Sequence, residues 1–328
     1  MEDSSMSDAI QIPKHRARAF KANIYHGVQQ TQTSISSMVR MESHDSAKSV
    51  SYDSYKPTVV NRRTERNQKT KIVSTDRERR TVRAYWYDHA VLIDKIDTAE
   101  QIHMPQNPLT MAAIYAFNRK KDEIVYEAGL GDSYLGENGE TAIALPDKQK
   151  IVAFDGTSTT ASSLNIATLA RMKRMFWDNE VGVDSGMTPG AMFNIACTGA
   201  QIEQLLNDTT ITSQDFNSIR ALVRGDVDTF MGFKFHIFNG VKRDDAPVVF
   251  NPLNGQLEAG AAGSTTEAYD RCLVWYNDGL LLSMGQDIRV DIGVRRDLSL
   301  STQAYLDMHL GALRMEEEKV IELIAKAV

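Results

Sequence analysis

The sequence predicts an α+β protein that combines amphipathic helices with segments rich in strands. Apolar residues recur at helical spacing over residues 107–127 and again over residues 164–178. Between residues 190 and 238, and again after residue 272, short runs of β-branched and aromatic residues alternate with turn residues, which indicates strands. The chain has 328 residues, 42% of them hydrophobic, so it can bury a large core.

The helices are predicted from apolar stripes and from residues that favour helix ends. Over residues 107–127, Pro108 suits the first turn, and Met111 and Ile114 belong to the apolar stripe. A second helix is expected from Leu164 to Asp178, with Ser163 as its N-cap. Further candidate helices are Val28–Met41, the segment after Thr198, Ser213–Leu222 and the C-terminal stretch Met308–Val328, which contains Gly311 near its start.

Strands are predicted where apolar and polar residues alternate, or where a short apolar run lies between turn residues. The candidates are Gly190–Cys197, Phe230–Phe238, Cys272–Tyr276, Leu280–Leu282 and Ile288–Val294. The turn signal Asn277-Asp278-Gly279 predicts that the two strands on either side of it form a hairpin. Residues 128–160 are rich in Gly, Asp, Ser and Thr, and we expect them to form a loop.

The first 95 residues do not show the apolar pattern of a compact domain. Residues 1–60 are polar and lack a regular apolar period, which predicts an arm that becomes ordered only against another surface. Residues 57–95 contain β-prone runs at 58–60, 71–73 and 81–87, with polar residues between the first two. We therefore expect a long two-stranded excursion with a charged tip, and an isolated hairpin of this kind needs a partner surface.

Positive charge is concentrated in this excursion. Residues 56–83 contain ten Lys and Arg against three acidic residues, a local balance of +7 in a chain whose net charge is -6. The remainder of the chain therefore carries -13. Such an asymmetry suits the docking of a basic segment on an acidic surface, either on a neighbouring copy or on a nucleic acid.

Three interpretations of the basic segment differ in what it contacts. No aromatic residue lies between Lys56 and Arg83, so stacking on bases has no platform there. A protein whose main ligand is nucleic acid is more often basic overall. We therefore favour docking on another subunit over direct contact with DNA, with plain solvent-exposed charge as the remaining alternative.

The sequence shows no constellation of residues that would support catalysis. The seven histidines are scattered, and phosphate-loop, nucleophile-elbow and paired-histidine zinc motifs are absent. Gly129-Leu130-Gly131 lacks the flanking strand and helix of a dinucleotide loop, and the acidic residues that follow it have the wrong spacing for calcium. Cys197 and Cys272 lie in apolar runs and are predicted to be buried free thiols. We therefore predict a protein that is not an enzyme and uses no cofactor or metal.

Targeting signals are also missing from the sequence. No run of about 18 apolar residues occurs, so a transmembrane helix is not expected. The polar start Met1–Ser5 lacks the basic and apolar regions of a signal peptide. These two features predict a protein that stays in the cytoplasm where it is made.

Several stretches, and the order of the elements, resemble a known family. Tyr87–Asp97 is similar to the segment that leaves a long β extension in one group of phage capsid proteins, and Ala191–Asn207 and Gly232–Phe235 are similar to later parts of that group. The whole layout resembles the major capsid proteins of tailed bacteriophages, whose Hong-Kong-type capsid fold is shared with encapsulins. The resemblance implies an N-terminal arm (1–45), a long β-hairpin extension called the E-loop (46–90), a peripheral domain with a spine helix (91–159), an axial α/β domain (160–265), and a return to the peripheral domain with a C-terminal helix (266–328).

The resemblance also implies a function. The protein would be a capsid protein without catalytic, cofactor or metal sites, which self-assembles into the hexamers and pentamers of an icosahedral phage head around non-specifically held double-stranded DNA. Its other partners would be a separate scaffolding protein, the portal, and head-decoration or tail-connector proteins, without any membrane. It would assemble in the host bacterial cytoplasm and reside in the virion.

The charged extension supplies the candidate docking residues of such a shell. We expect its arginines to meet acidic groups on an adjacent subunit: Arg62, Arg63, Arg66, Arg77, Arg79 and Arg80. Two alternatives remain open. One is an encapsulin-like compartment, which shares the fold and encloses protein, and the other is a nucleic-acid-binding protein that uses the basic hairpin.

Overall fold

A computed structural model of the protein describes residues 29–44, 49–93, 106–153, 162–182, 193–206, 229–244, 248–251, 256–259 and 269–327. The described residues form three α-helices, namely α1 (Gln106–Leu130), α2 (Ile166–Asp178) and α3 (Gly199–Leu206). Their strands are β1 (Arg40–Ser43), β2 (Ser49–Tyr55), β3 (Arg77–Arg83), β4 (Tyr85–Ile93), β5 (Ser133–Leu135), β6 (Thr141–Ile143), β7 (Lys150–Val152), β8 (Phe193–Cys197), β9 (Thr229–Phe230), β10 (Phe233–Ile237), β11 (Arg243–Asp244), β12 (Val248–Asn251), β13 (Gln256–Ala259), β14 (Tyr269–Tyr276), β15 (Leu280–Arg295), β16 (Ser301–Arg314) and β17 (Val320–Lys326).

These strands form four sheets. The largest has the order β7-β17-β14-β8-β10-β9, with β11 beside β14, and it mixes parallel with antiparallel pairs. A second sheet has the order β1-β15-β16-β4, and the third, β2-β3-β5-β6, begins with the strands of the predicted extension. Strands β12 and β13 form a separate pair. Together with the three helices, the sheets make the α+β architecture that the sequence predicts.

One face of the largest sheet packs against α2. This helix has a clear apolar stripe, and its residues Leu169, Met172 and Phe176 are buried in the same core as Phe193 and Phe233. The N-cap lies two residues further along the chain than predicted. Asn165 rather than Ser163 accepts the helical N–H, because its Oδ1 lies 2.8 Å from the backbone nitrogen of Thr168.

A second core lies between α1 and the sheet β1-β15-β16-β4. Strand β14 contributes to both cores, since Cys272 and Val274 point into the first and Leu273 and Trp275 into the second. The Trp275 Nε1 donates a hydrogen bond of 3.0 Å to the carbonyl oxygen of Met38, which fixes the N-terminal segment against this core. Because β14 and β17 share a sheet with β8, the expected boundary between residues 265 and 266 does not separate two sheets.

The C-terminal segment Met308–Val328 is not the helix that its sequence predicts. Its first part belongs to β16, a short 3-10 turn follows at Glu317–Lys319, and Val320–Lys326 is β17. Strand β17 is buried on both faces, with Ile321 and Leu323 in the first core and Val320 in the second. A strand covered on both faces carries an almost continuous apolar run, and over a short stretch that run resembles a buried helix.

The turn Asn277–Gly279 is present, but it does not form the predicted hairpin. Strand β14 pairs with β8 and β17, whereas β15 pairs with β1 and β16. The turn is therefore a corner at which the chain passes from one sheet to another. Turn residues determine that the chain reverses direction locally, whereas long-range partners determine which strands pair.

Other expectations need smaller corrections. Residues 58–60 and 71–73 are not strands, the loop expected at 128–160 contains β5, β6 and β7, and Val28–Met41 holds a 3-10 turn at Ser36–Met38 followed by β1. The helix expected at Ser213–Leu222 and the first 28 residues of the arm lie outside the described residues.

Candidate interaction surface

The antiparallel pair β2–β3 carries the basic segment away from the two cores. The pairing runs from Ser49 opposite Arg83 to Tyr55 opposite Arg77. At its end, the backbone nitrogen of Lys56 donates a 3.0 Å hydrogen bond to the carbonyl oxygen of Asp76, which closes the base of residues 56–76. We call residues 56–76 the tip loop. Nearly all of it is exposed, and it has no helix or strand.

The tip loop combines positive charge with exposed aliphatic side chains. It contains six Lys and Arg against Glu65 and Asp76. Among the described residues, no ion pair involves Arg62, Arg63 or Arg66. Val60 and Ile72 are 92% and 97% exposed. Exposed β-branched residues beside unpaired arginines are typical of a surface that contacts a partner.

Arg77 and Arg79 are already paired within the chain. Both lie on the outer side of β3, where Arg79 Nε donates a 2.7 Å hydrogen bond to Asp53 Oδ1 and Arg77 pairs with the other oxygen of the same carboxylate. The hydrogen bonds from Arg79 and Arg77 lower the pKa of Asp53 to about 2. Both guanidinium groups remain partly exposed, so each can still meet a second carboxylate.

Arg80 is buried and paired within its own chain, unlike the exposed docking residue that the sequence suggests. Side chains alternate along a strand, so Arg80 points to the opposite side from Arg79 and is only 3% exposed. It donates hydrogen bonds of 2.8 and 2.7 Å to the two carboxylate oxygens of Glu317, and one of 2.9 Å to Glu78. A fourth bond of 2.9 Å reaches the carbonyl oxygen of Arg314. Arg80 therefore fixes the base of the hairpin to the turn between β16 and β17.

The pairing with Arg80 affects the pKa of Glu317. Burial alone would raise the pKa of Glu317, but the hydrogen bond and charge of Arg80 outweigh it, so the pKa lies below its ordinary value. Glu317 is therefore ionised at neutral pH, and the pair is charged on both sides.

Arg314 is a second buried arginine, and its role could not be predicted from the sequence. Its guanidinium donates to the carbonyl oxygens of Gly129 (3.0 Å), Gly131 (2.6 Å) and Ile143 (3.0 Å). The first of these carbonyls belongs to the last turn of α1, so Arg314 satisfies a helix end that has no partner inside the helix. Arg314 and Arg80 together join α1, the hairpin and the turn after β16.

Asp122 anchors the described part of the N-terminal arm. This aspartate is fully buried on α1 and accepts hydrogen bonds from the backbone nitrogens of Ser34 (2.7 Å), Ile35 (3.2 Å) and Ser36 (3.0 Å). In the sequence, Asp122 lies in the polar run Arg119–Glu123, which is typical of the solvent-facing side of a helix. Instead it holds residues 34–36 against the second core, where Ile35 is also fully buried. This part of the arm is thus ordered on its own subunit.

The remaining chemistry of the described residues is sparse. No three of their His, Cys, Asp and Glu side chains are grouped so that they could hold a metal ion. Cys197 and Cys272 are free and buried, as predicted, and burial raises the pKa of the Cys197 thiol to about 12. None of the described helices is long and apolar enough to cross a membrane.

The pairing at the outer side of the hairpin predicts an unusual titration. In the folded subunit the Asp53 carboxyl should titrate near its pKa of about 2, which can be followed by NMR of the carboxyl carbon. Because the pKa is lowered by folding, the pairing stabilises β2–β3 above the ordinary aspartate pKa, and this contribution is lost as the pH falls towards 2. The double variant Arg77→Ala, Arg79→Ala should return the pKa to the ordinary aspartate range. An unchanged titration in that variant would contradict the assignment.

Comparison with known proteins gives consistent results over nearly the whole chain. A family model described as "Phage capsid protein" matches residues 12–326. Among curated proteins, no sequence matches the chain significantly. The chain is also similar to solved capsid structures. Because the sequence identities are low, this similarity indicates a shared fold.

Three of these structures illustrate the similarity. The capsid of Ralstonia phage GP4 has a TM-score of 0.68 and 12% identity, with 99% of both chains covered. The capsid asymmetric unit of cyanophage Pam1 has a TM-score of 0.65 and 12% identity, with 100% of this chain and 99% of that chain covered. The capsid of cyanophage P-SCSP1u has a TM-score of 0.63 and 16% identity, with 95% and 93% covered.

Proposed function

Since this chain belongs to the phage capsid protein family, we propose that its copies assemble as hexamers and pentamers into an icosahedral phage head around double-stranded DNA. Proteins of this family are structural, and the chain is a capsid shell protein rather than an enzyme. The observation that carries the proposal is the family match over residues 12–326, supported by a capsid fold along the whole chain.

We assign the parts of the fold to roles in such a shell. The hairpin β2–β3 with its tip loop is the E-loop, and α1 is the spine helix of a peripheral domain that includes the sheet β1-β15-β16-β4. The largest sheet, with α2 and α3, forms the axial domain. This division follows the two hydrophobic cores, which are the natural units of a chain of this size.

The tip loop is the part that contacts a neighbouring subunit. Its free arginines, Arg62, Arg63 and Arg66, pair there with acidic groups, and Arg77 and Arg79 contribute from the rim of the hairpin. The tip loop has no helix or strand and is nearly all exposed, so contact with a neighbour also stabilises its conformation. The chain outside residues 56–83 carries a net charge of -13, which supplies acidic surface for this contact and limits adhesion of packaged DNA.

Other partners follow from the same role. A separate scaffolding protein guides assembly in the host bacterial cytoplasm, and portal, head-decoration or tail-connector proteins complete the virion. The packaged DNA is held without sequence specificity. An encapsulin-like compartment, which shares the fold, differs in its contents, because it encloses protein instead of DNA.

Electron microscopy of the purified full-length chain tests the proposal. At high protein concentration, negative-stain images should show closed shells, capsomer-sized rings or tubes, and nuclease-resistant DNA should be found in particles purified from infected cells. A chain that remains monomeric at every concentration, with and without a crowding agent, would contradict the proposal. Particles that contain protein cargo and no DNA would support the compartment instead.

A further inference from the structure

Strand β15 has an open edge along its second half. Strand β1 pairs with it only from Leu281 to Met284, whereas β16 follows its other edge as far as Arg295. Within the part of the chain that the structure describes, no strand pairs with the open edge between Arg289 and Arg295. The register with β16 is regular over these residues, and they include no proline or lysine. The edge does carry the charged residues Arg289, Asp291 and Arg295, so a strand that pairs with it must match these charges.

The open edge also exposes apolar surface. Val290, Ile292 and Val294 are 40%, 48% and 60% exposed. They lie on the same face of the sheet as their β16 neighbours Leu306 and Ala304, which are fully or almost fully buried. The apolar face of the sheet therefore extends to β15, beyond the area that the described residues cover.

The sequence of this edge is complementary to itself about Val290. If two copies run antiparallel about a two-fold axis at Val290, this residue faces its own copy. Ile292 then faces Ile288, which lies at the end of the irregular stretch between Gln286 and Arg289. The same register places Arg289 opposite Asp291 at both ends of the contact. Apolar residues then meet on one face of the joined sheet and opposite charges meet on the other.

Most neighbouring registers lack this complementarity. A two-fold axis normal to the sheet must pass through a residue that faces itself, because side chains alternate between the faces. An axis at Asp291 places two aspartates opposite each other, and an axis at Arg289 does the same with two arginines. An axis at Ile292 places Arg289 opposite Arg295. An axis at Gly293 pairs Asp291 with Arg295, but it places two glycines opposite each other and Val290 opposite Arg296, beyond the end of β15. Like charges directly opposite each other destabilise a strand pair, so the register about Val290 is favoured.

We infer that the open edge of β15 is a contact between two copies of this chain, which pair antiparallel about a two-fold axis at Val290. The inference rests on the proposed function, because assembly into a shell brings second copies to the edges of each subunit. A two-fold contact uses the same patch on both partners, so the patch must be complementary to itself, as residues 288–292 are. The two sheets β1-β15-β16-β4 become one continuous sheet of eight strands.

The contact is short, so it is one contribution among several. A pairing of about five residues spans roughly 17 Å and is too small to hold two isolated subunits together. In a shell the other contacts raise the effective concentration of the two edges, and the pairing then adds to stability and fixes the geometry between neighbours. The contact is therefore to be sought in assembled particles.

An engineered cysteine tests the position of the axis. In particles assembled from Val290→Cys, mild oxidation should link subunits into dimers on a non-reducing gel, because opposite residues of an antiparallel pair lie within disulfide range. The two natural cysteines are buried and do not compete. The matched control is Val294→Cys on the same face, since its two copies would lie about 27 Å apart and should remain unlinked. Dimers from the control, or none from Val290→Cys, would overturn the inference.

A charge swap tests the register independently. Either Arg289→Asp or Asp291→Arg alone places like charges opposite each other and should reduce the yield of particles roughly tenfold. Co-assembly of the two variants restores both opposite-charge pairs and should restore the yield, whereas the control Arg296→Asp should change little. If the wild type forms particles but both single variants assemble equally well, this inference fails and the proposed function stands. If the wild type itself forms no particles, the proposed function fails first.

Discussion

Replacing Arg80 with methionine is expected to lower the free energy of unfolding of the subunit by about 3–5 kcal/mol. Arg80 donates to both oxygens of Glu317, to Glu78 and to the carbonyl oxygen of Arg314, all at 2.7–2.9 Å. Methionine fills much of the volume but removes every donor. Removing one partner of a buried ion pair leaves an uncompensated charge, which costs far more than the pair itself contributes.

The matched control for this substitution is Arg79→Met on the neighbouring position of β3. Arg79 is partly exposed and pairs with Asp53 at the solvent side, so its loss should destabilise the subunit much less. Chemical denaturation of the unassembled subunit measures both variants under the same conditions. Equal losses for Arg79→Met and Arg80→Met would contradict the buried role of Arg80.

A second comparison locates the effect within the molecule. Glu317→Gln keeps the shape of the acceptor but removes its charge, so it should cost less than Arg80→Met. In both variants, amide exchange should accelerate first in β3 and in the turn between β16 and β17, since Arg80 is what joins them. Uniform acceleration throughout the largest sheet would show that Arg80 acts on the whole fold instead.

The contrast between Arg79 and Arg80 shows where reasoning from sequence reaches its limit. The concentration of charge identified the hairpin, because ten basic residues in one stretch are visible without any knowledge of the fold. All the arginines in that stretch look alike, however, until the strand register is known. The register places Arg80 against the body of the subunit and Arg79 on the partly exposed side, so only the structure separates an anchor from a docking candidate.

Long-range partners explain the other differences. The helix α2 could be predicted because its apolar stripe is a local pattern, and the strand Phe233–Ile237 shows its burial by alternation. The C-terminal strand could not, since its two faces are buried in two cores whose other residues are distant in sequence. The role of Asp122 could not be predicted either. A single acidic residue on a polar helix face gives no sign that it accepts hydrogen bonds from three backbone N–H groups of residues 34–36.

Gly311 illustrates how one residue can be misread for the same reason. As part of a helix it would be a weak point, but in β16 it allows a close approach between strands. A β-carbon at this position would lie 2.5 Å from the carbonyl oxygen of Arg83, a separation that real β-carbons do not show. The glycine is therefore required by the contact between β16 and the chain that joins β3 to β4.

Reversing the charge of the tip loop should abolish assembly while the subunit remains folded. In the triple variant Arg62→Glu, Arg63→Glu, Arg66→Glu, the tip loop would change from a net charge of +4 to -2. These arginines are exposed and make no ion pair with any described residue, so their loss should not alter the thermal stability of the isolated subunit. Assembly should fail because the loop would now repel the acidic surface that it is proposed to contact.

The control must change the net charge of the whole chain by the same amount at sites outside the hairpin. Arg171→Glu, Arg174→Glu and Arg296→Glu meet this condition, since all three arginines are exposed. Particle yield is measured for both variants by electron microscopy and sedimentation. Because both variants change the net charge by the same amount, a difference in yield shows that the position of the reversed charges matters. If assembly depends on the tip loop, only the first variant fails, and its loss should exceed tenfold because several contacts per shell are removed together. If both variants fail equally, overall charge controls assembly and the tip loop has no special part in it.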